Sequence, residues 1–184
     1  MYHPFIVGEK MYLRGVEKSD LSSNYFQWAN DSEVTYYMEM GLLPNNLERS
    51  EADYIDLMKS KNDAVFVIVD KKTDKLIGSC GLYVINWVAR KAEFRVIIGE
   101  KDYWAKGYGR EAAELLIQYA FEKLNLNKVW LGVNAENIKG VKSYERAGFV
   151  SEGVLRQEIY RNDRYYDAIR MSILREEYEK RKTK

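Results

Sequence analysis

Apolar and polar residues recur along this chain with two different periods, and the changes between them mark its elements. Met11–Arg14, Ala64–Val69, Leu76–Ile85 and Ala92–Ile98 are short, β-branched or alternating runs that predict strands. Lys71-Lys72-Thr73-Asp74 predicts a turn, and neighbours at such short separation should pair antiparallel. Beyond residue 107 the period lengthens. Ala112, Leu115, Leu116, Tyr119, Ala120 and Leu124 fall on one helical face, and Lys128–Val133 then reads as a strand. A second helical segment follows, then a hairpin with arms Val154–Tyr160 and Tyr165–Leu174 joined through Arg161–Arg164. Tyr165, Asp167, Ile169, Met171 and Ile173 share one face of the second arm, so Asp167 needs a polar partner.

The stretch before residue 64 is less periodic. Ser19-Asp20 can cap a helix running to about Asn30. Gly41 and Pro44 interrupt residues 33–47, which predict a turn and a short helix. Ser50 with Asp53 resembles a capping box that opens a helix to about Lys61.

At 184 residues the chain suits one domain, residues 1–184, with one sizeable core. The net charge of +1 gives no electrostatic reason to expect nucleic acid. Charge is uneven: residues 31–63 carry Asp31, Glu33, Glu39, Glu48, Glu51, Asp53, Asp56 and Asp63 against Arg49, Lys59 and Lys61. That tilt suits a cationic ligand and equally an ordinary solvated helix face. A single cysteine, Cys80, excludes an internal disulfide and fits a reducing cytoplasm. With one histidine besides, His3, little remains for a soft-metal site, and none is expected. No run has the length of a membrane span or the pattern of a signal peptide.

The chemistry concentrates at Trp104-Ala105-Lys106-Gly107-Tyr108-Gly109-Arg110-Glu111-Ala112. Two glycines one residue apart stand between a strand and a helix. Glycine lets backbone approach a ligand closely, and the first N–H groups of a helix are unpaired and partly positive. Together they suit a pyrophosphate. There is no Gly-Lys-Ser/Thr here, so a nucleoside triphosphate with its Mg²⁺ would lack its ligands.

Strand, glycine loop, helix, strand, Asn137, helix and then Tyr144-Glu145-Arg146-Ala147-Gly148-Phe149 follow in that order. This order resembles the GCN5-related N-acetyltransferases (GNAT), closely over about residues 65–175 and more loosely before. The branch it resembles holds ribosomal-protein N-terminal, spermidine and amino-sugar acetyltransferases. The resemblance implies a mixed α/β fold of the α+β type. A central, mostly antiparallel sheet would be splayed at the acetyl-CoA site and flanked by helices. It implies acetyl-CoA as co-substrate, with the pyrophosphate on residues 104–110: Trp104, Ala105, Lys106, Gly107, Tyr108, Gly109 and Arg110. Trp104 stands where the family commonly carries Arg or Gln, which implies a backbone contact there. Val96, Ile97 and Ile98 would pair with the pantetheine arm through their backbones, across a gap opened by a bulge. Asn137 would bond the pantetheine amides, a role compatible with capping the helix that it opens.

The same resemblance places Tyr144 as general acid for the leaving thiolate. A phenol of pKa about 10 is protonated at neutral pH and can reprotonate a thiolate of pKa near 8.5. An ammonium of pKa about 10.4 must lose a proton before it attacks, and Glu93 on the strand entering the loop is the candidate base or water-positioner. An ion pair of Glu93 with Arg95 or Arg90 is the plain alternative. No nucleophile stands out, so direct attack in a ternary complex is expected. Acceptors in view are a small amine such as a polyamine, a protein N-terminus reached beside the final hairpin, and an amino sugar. A non-catalytic acyl-CoA sensor is a rival that retention of Tyr144 and Glu93 disfavours. Family members are often dimeric, so a homodimer is possible.

Overall fold

The structure, a computed structural model, describes residues 3–183. Eight strands form one sheet: β1 (Ile6–Val7), β2 (Met11–Gly15), β3 (Ala64–Asp70), β4 (Leu76–Asn86), β5 (Lys91–Ile98), β6 (Lys128–Asn134), β7 (Val150–Arg161) and β8 (Arg164–Leu174). Their spatial order is β1-β2-β3-β4-β5-β6-β8-β7, antiparallel throughout except between β5 and β6. The helices are α1 (Leu47–Lys59), α2 (Tyr108–Gln118), α3 (Ile138–Ala147) and α4 (Arg175–Lys182). This is the mixed α/β architecture expected.

Strand alternation divides the core between the two faces of the sheet. Phe66, Ile68 and Phe94 join Ala112, Leu116, Ala120, Phe149 and Met171 on the face covered by α2 and α3. Val67 and Val69 pack with Val16, Tyr25, Tyr54 and Leu57 on the other, under α1.

Several expectations need correction. The helix from Ser19 to Asn30 is two 3₁₀ segments, Lys18–Ser22 and Asn24–Asn30. Asp20 is not its N-cap but stands at N3, where it closes a capping box with Glu17. Its carboxylate is held by the buried Arg14 guanidinium at 2.7 and 2.8 Å and by the Glu17 N–H. Ser23 is extended; its hydroxyl donates to the Asp20 carbonyl and accepts from the Tyr25 N–H, which breaks the helix at that point. α1 starts earlier than the Ser50–Asp53 pattern implied, because Asn46 Oδ1 accepts from the Arg49 N–H, and it ends at Lys59. Ser50 is buried inside that helix. The short helix expected within residues 33–47 is absent: residues 33–46 hold turns and bends, and Leu47 already opens α1. β1 is too short to carry a period. The hairpin arms extend to Val150–Arg161 and Arg164–Leu174. Asp167 does find its partner: Oδ1 accepts from the Gln157 N–H, at an irregularity between Leu155 and Ile159.

Candidate active site

β5 and β6 are paired over only three positions, Lys91↔Lys128, Ala92↔Val129 and Glu93↔Trp130. Beyond Glu93 the two strands separate, and this split is the architectural centre of the site. It does not arise from the expected bulge. The β4–β5 register is unbroken from Gly78↔Ile98 to Tyr83↔Glu93, and its one irregularity lies at the far end, between Tyr83 and Asn86.

The alternation of an antiparallel strand sorts the backbone groups of β5. The Gly99 N–H donates to the Ile77 carbonyl, and the Ile97 carbonyl faces Gly78 so closely that a Cβ there would lie 2.2 Å from it. Residue 97 therefore spends its polar groups on β4, and Val96 and Ile98 present theirs to the split. Of the three residues expected to pair with a ligand arm, Ile97 is turned the wrong way. Ile98 is half committed, because Trp104 Nε1 donates to its carbonyl at 2.7 Å.

The loop after β5 curls through two left-handed residues, Ala105 at φ 57° and Gly107 at φ 90°. A left-handed Ala costs about 1–2 kcal/mol and is tolerated where surroundings enforce it. Gly107 is the N-cap of α2, and the first helical bond is Glu111 N–H to the Gly107 carbonyl. The N–H groups of Tyr108, Gly109 and Arg110 thus project ahead of the helix without helical partners. A Cβ on Gly109 would meet nothing within 4 Å, so open space lies before them. Lys10 braces the loop, its Nζ donating to the Lys106 carbonyl at 2.9 Å. The Tyr108 side chain turns inward and is buried, its hydroxyl donating to Asp70. Only its backbone can serve a ligand. Arg110 pairs with Glu114 at 3.1 Å along the helix.

A groove of about 690 Å³ runs from this loop between α2 and α3, lined by Lys10, Gly107, Gly109, Arg110, Lys139, Lys142 and Arg146 among others. Sequence reading missed Lys10, Lys139, Lys142 and Arg146. The last three share one face of α3 at i, i+3 and i+7 spacing, a signal that was available. Lys10 comes from the bend between β1 and β2, far off in sequence, and gave none. Asn137 caps α3, its Oδ1 accepting from the Gly140 N–H at 3.0 Å. Its side-chain amide nitrogen makes no hydrogen bond to the described residues.

Tyr144 lies on the groove side of the sheet. Its ring meets Phe94 and Phe149 edge-on at 6.2 and 6.0 Å. Desolvation in this aromatic corner lifts its phenol up to about 12. Glu93 lies on the other side. It stands opposite Tyr83 in the ladder and binds Arg95 at 2.7 Å; Arg90 instead reaches Asn125. The Arg95 guanidinium also covers the Tyr83 ring at 4.8 Å. Tyr83 is in turn a wall of a second cavity, of about 240 Å³, that also takes in the Ile97 side chain. The two catalytic candidates therefore straddle the sheet at the point where it opens. Cys80 is fully buried and burial pushes its thiol up, so it is no nucleophile.

The groove suits an elongated phosphorylated carrier: free helix-start amides, open space at Gly109, an unpaired strand edge and a lining in which five cations outnumber Glu9, Glu111 and Glu114. Residues 10–150 match the family profile described as the acetyltransferase (GNAT) domain. The chain belongs to the GNAT acetyltransferases. It is 43% identical over 166 residues to the spermidine N(1)-acetyltransferase of Escherichia coli K12, covering 90% of this chain and 87% of that one. It is 34% identical over 172 residues to the Vibrio cholerae spermidine N(1)-acetyltransferase, covering 94% and 97%. A crystal structure of the Vibrio cholerae enzyme in complex with CoA and spermine superposes with a TM-score of 0.84, at 34% identity over 92% of this chain and 98% of that chain. The acetyltransferase uses acetyl-CoA as co-substrate and transfers the acetyl group to an amine. Among the described residues, no helix is long and apolar enough to cross a membrane.

Proposed function

We propose that the acetyltransferase acts on a primary amine of a polyamine, in a single ternary complex, as one catalytic domain of the reducing cytoplasm. The observation that carries this reading is the split beyond Glu93. The mainly cationic groove lies on one face of the sheet and the aromatic cavity on the other, with Tyr144 and Glu93 on either side of the split. The spermidine N(1)-acetyltransferase relatives support the same acceptor class.

Bound acetyl-CoA supplies an acetyl group activated as a thioester. The amides of Tyr108, Gly109 and Arg110 hold its pyrophosphate at the start of α2. The Val96 backbone and the Ile98 N–H, with the Asn137 amide nitrogen, take the arm that leads to the split. Glu93 receives the proton that the acceptor ammonium sheds, directly or through water. As the C–N bond forms and the C–S bond breaks, Tyr144 gives its phenolic proton to the departing sulfur. Once bonded to the acetyl carbon, the nitrogen sheds a second proton, which restores the phenol directly or through water, while the first passes from Glu93 to solvent; of the two protons the ammonium loses, one is thus matched by the proton on sulfur and one is released.

Thiol release from acetyl-CoA, followed against panels of polyamines, amino sugars and peptide N-termini, tests the reading. Polyamines should give the highest kcat/KM. A preference for an amino sugar or a peptide would replace the acceptor assignment and leave the groove assignment standing.

A further inference from the structure

The cavity under α1 has the makings of a recognition pocket for a second positive charge. Four aromatic rings, Tyr25, Trp28, Tyr54 and Tyr83, form much of its lining. Trp28 is fixed in place: it is seated against Gly99, where a Cβ would come within 1.9 Å of the ring, and its Nε1 donates to Glu100 at 3.2 Å. Aromatic faces attract ammonium groups and accommodate methylene chains. At 240 Å³ the cavity falls below the roughly 300–1,000 Å³ of sites that enclose whole drug-sized ligands, so it suits one arm of a molecule.

Two side chains at this cavity have oxygen atoms without partners among the described residues. The Asn45 side-chain nitrogen donates to the Phe26 carbonyl at 3.3 Å and to Ser50 Oγ at 3.1 Å, which fixes the amide. Its Oδ1 is buried and receives no hydrogen bond. Asp53 lies at the exposed rim and has no ion pair or hydrogen bond among the described residues. Most of the neighbouring acidic stretch is already engaged. Asp31 and Glu33 meet Lys101, Glu51 meets Lys18, Asp56 meets Lys59, and Asp63 accepts from Ser60 and the Val84 N–H. Of the acidic residues between 31 and 63, the one that both lines the cavity and lacks a partner is Asp53.

We propose that this cavity binds the acceptor nitrogen remote from the one being acetylated, with Asp53 as its counter-ion and Asn45 Oδ1 as an added hydrogen-bond acceptor. The inference rests on the polyamine reading and sharpens it: the enzyme selects acceptors carrying at least two amines joined by a short alkyl chain. Tyr83 connects this pocket to the reacting end, because it walls the cavity and lies under the Arg95 that holds Glu93. An acceptor anchored by its far ammonium would thus extend its near amine toward the split.

The test compares spermidine with butylamine, which has the alkyl chain and a single nitrogen, in the parent enzyme, Asp53→Asn and Asp53→Glu. The parent should favour spermidine. Asp53→Asn should lower the spermidine-to-butylamine ratio of kcat/KM at least about tenfold, the scale of one charge-assisted contact, and the loss should fall on the spermidine KM rather than on kcat. Asp53→Glu should retain most of the preference. A parent enzyme that acetylates spermidine, with Asp53→Asn leaving the ratio intact, would overturn this inference alone. A parent enzyme inactive on spermidine would overturn the polyamine reading and this inference with it.

Discussion

Tyr144 makes no hydrogen bond to the described residues and is surrounded by Phe94 and Phe149, so its hydroxyl contributes little to the fold. Tyr144→Phe should therefore leave the structure intact and lower kcat by about 10²-fold or more while acetyl-CoA affinity stays nearly constant. Stopped-flow turnover and calorimetry read the two quantities separately; near-normal kcat would reduce Tyr144 to packing. Glu93→Gln keeps the shape and the hydrogen bond to Arg95 but cannot accept a proton. It should lower kcat and flatten the rise of rate with pH below about 8. A variant with the parent's pH profile would mean that another group, or solvent, collects the proton. Both candidates were put forward through the family resemblance: Tyr144 by its distance to Gly148-Phe149, Glu93 by its place on the strand entering the loop. Their placement on opposite faces was not, because it depends on which of alternate residues in β5 the β4 ladder claims.

Among the elements, the glycine loop was the most readable, because Gly107 and Gly109, a weak signal alone, stand between a strand pattern and a helical one. The two glycines do different work. Gly107 needs its left-handed backbone, so substitution there strains the fold. Gly109 is helical with open space in front of it, so Gly109→Leu should fold normally and reduce acetyl-CoA affinity at least about tenfold by occupying the ligand's approach. Unchanged affinity in calorimetry would remove the pyrophosphate from this loop. Asn137 allows a similar separation of roles. Asn137→Asp keeps an oxygen for the Gly140 N–H, hence the cap of α3, and loses the side-chain N–H donor. Thermal stability should hold while acetyl-CoA binding weakens; a loss of stability with unchanged binding would leave Asn137 as a cap alone. Less could be read before residue 64. There Asp20 is drawn to the buried Arg14, and Asn46 caps a helix that Ser50 was expected to open. A side chain engaged by a distant partner cannot signal its role through local pattern.

Across the whole molecule, the sheet separates two chemistries, and its buried ionisable groups set the pH range in which that arrangement survives. On the acid side, burial alone would raise Asp70, but hydrogen bonds from Tyr108 and Thr73 outweigh it and hold the carboxyl below its ordinary value of 3.8. Glu100, against Lys75 and Trp28, is likewise depressed despite its burial. The unfolded chain takes up these protons first as pH falls, so stability is lost below about pH 4.5. On the alkaline side, burial raises Tyr25, Tyr83 and Tyr119, and Tyr108 by burial and by Asp70, above the ordinary 10.0. The unfolded chain loses these protons first as pH rises, so stability declines above about pH 10. The melting temperature should accordingly be nearly flat between about pH 5 and 9 and fall on both sides. Tyr144, raised to about 12 by desolvation alone, isolates one contribution. Near pH 11 its unfolded form is mostly ionised and its folded form mostly neutral, a cost on the order of 1 kcal/mol. Tyr144→Phe removes that cost, so the variant should lose less stability than the parent between pH 9 and pH 11, as read by urea denaturation at each pH. Equal losses in the two proteins would mean that the phenol is not desolvated in the folded state, and would remove the aromatic corner from the account of its role as an acid.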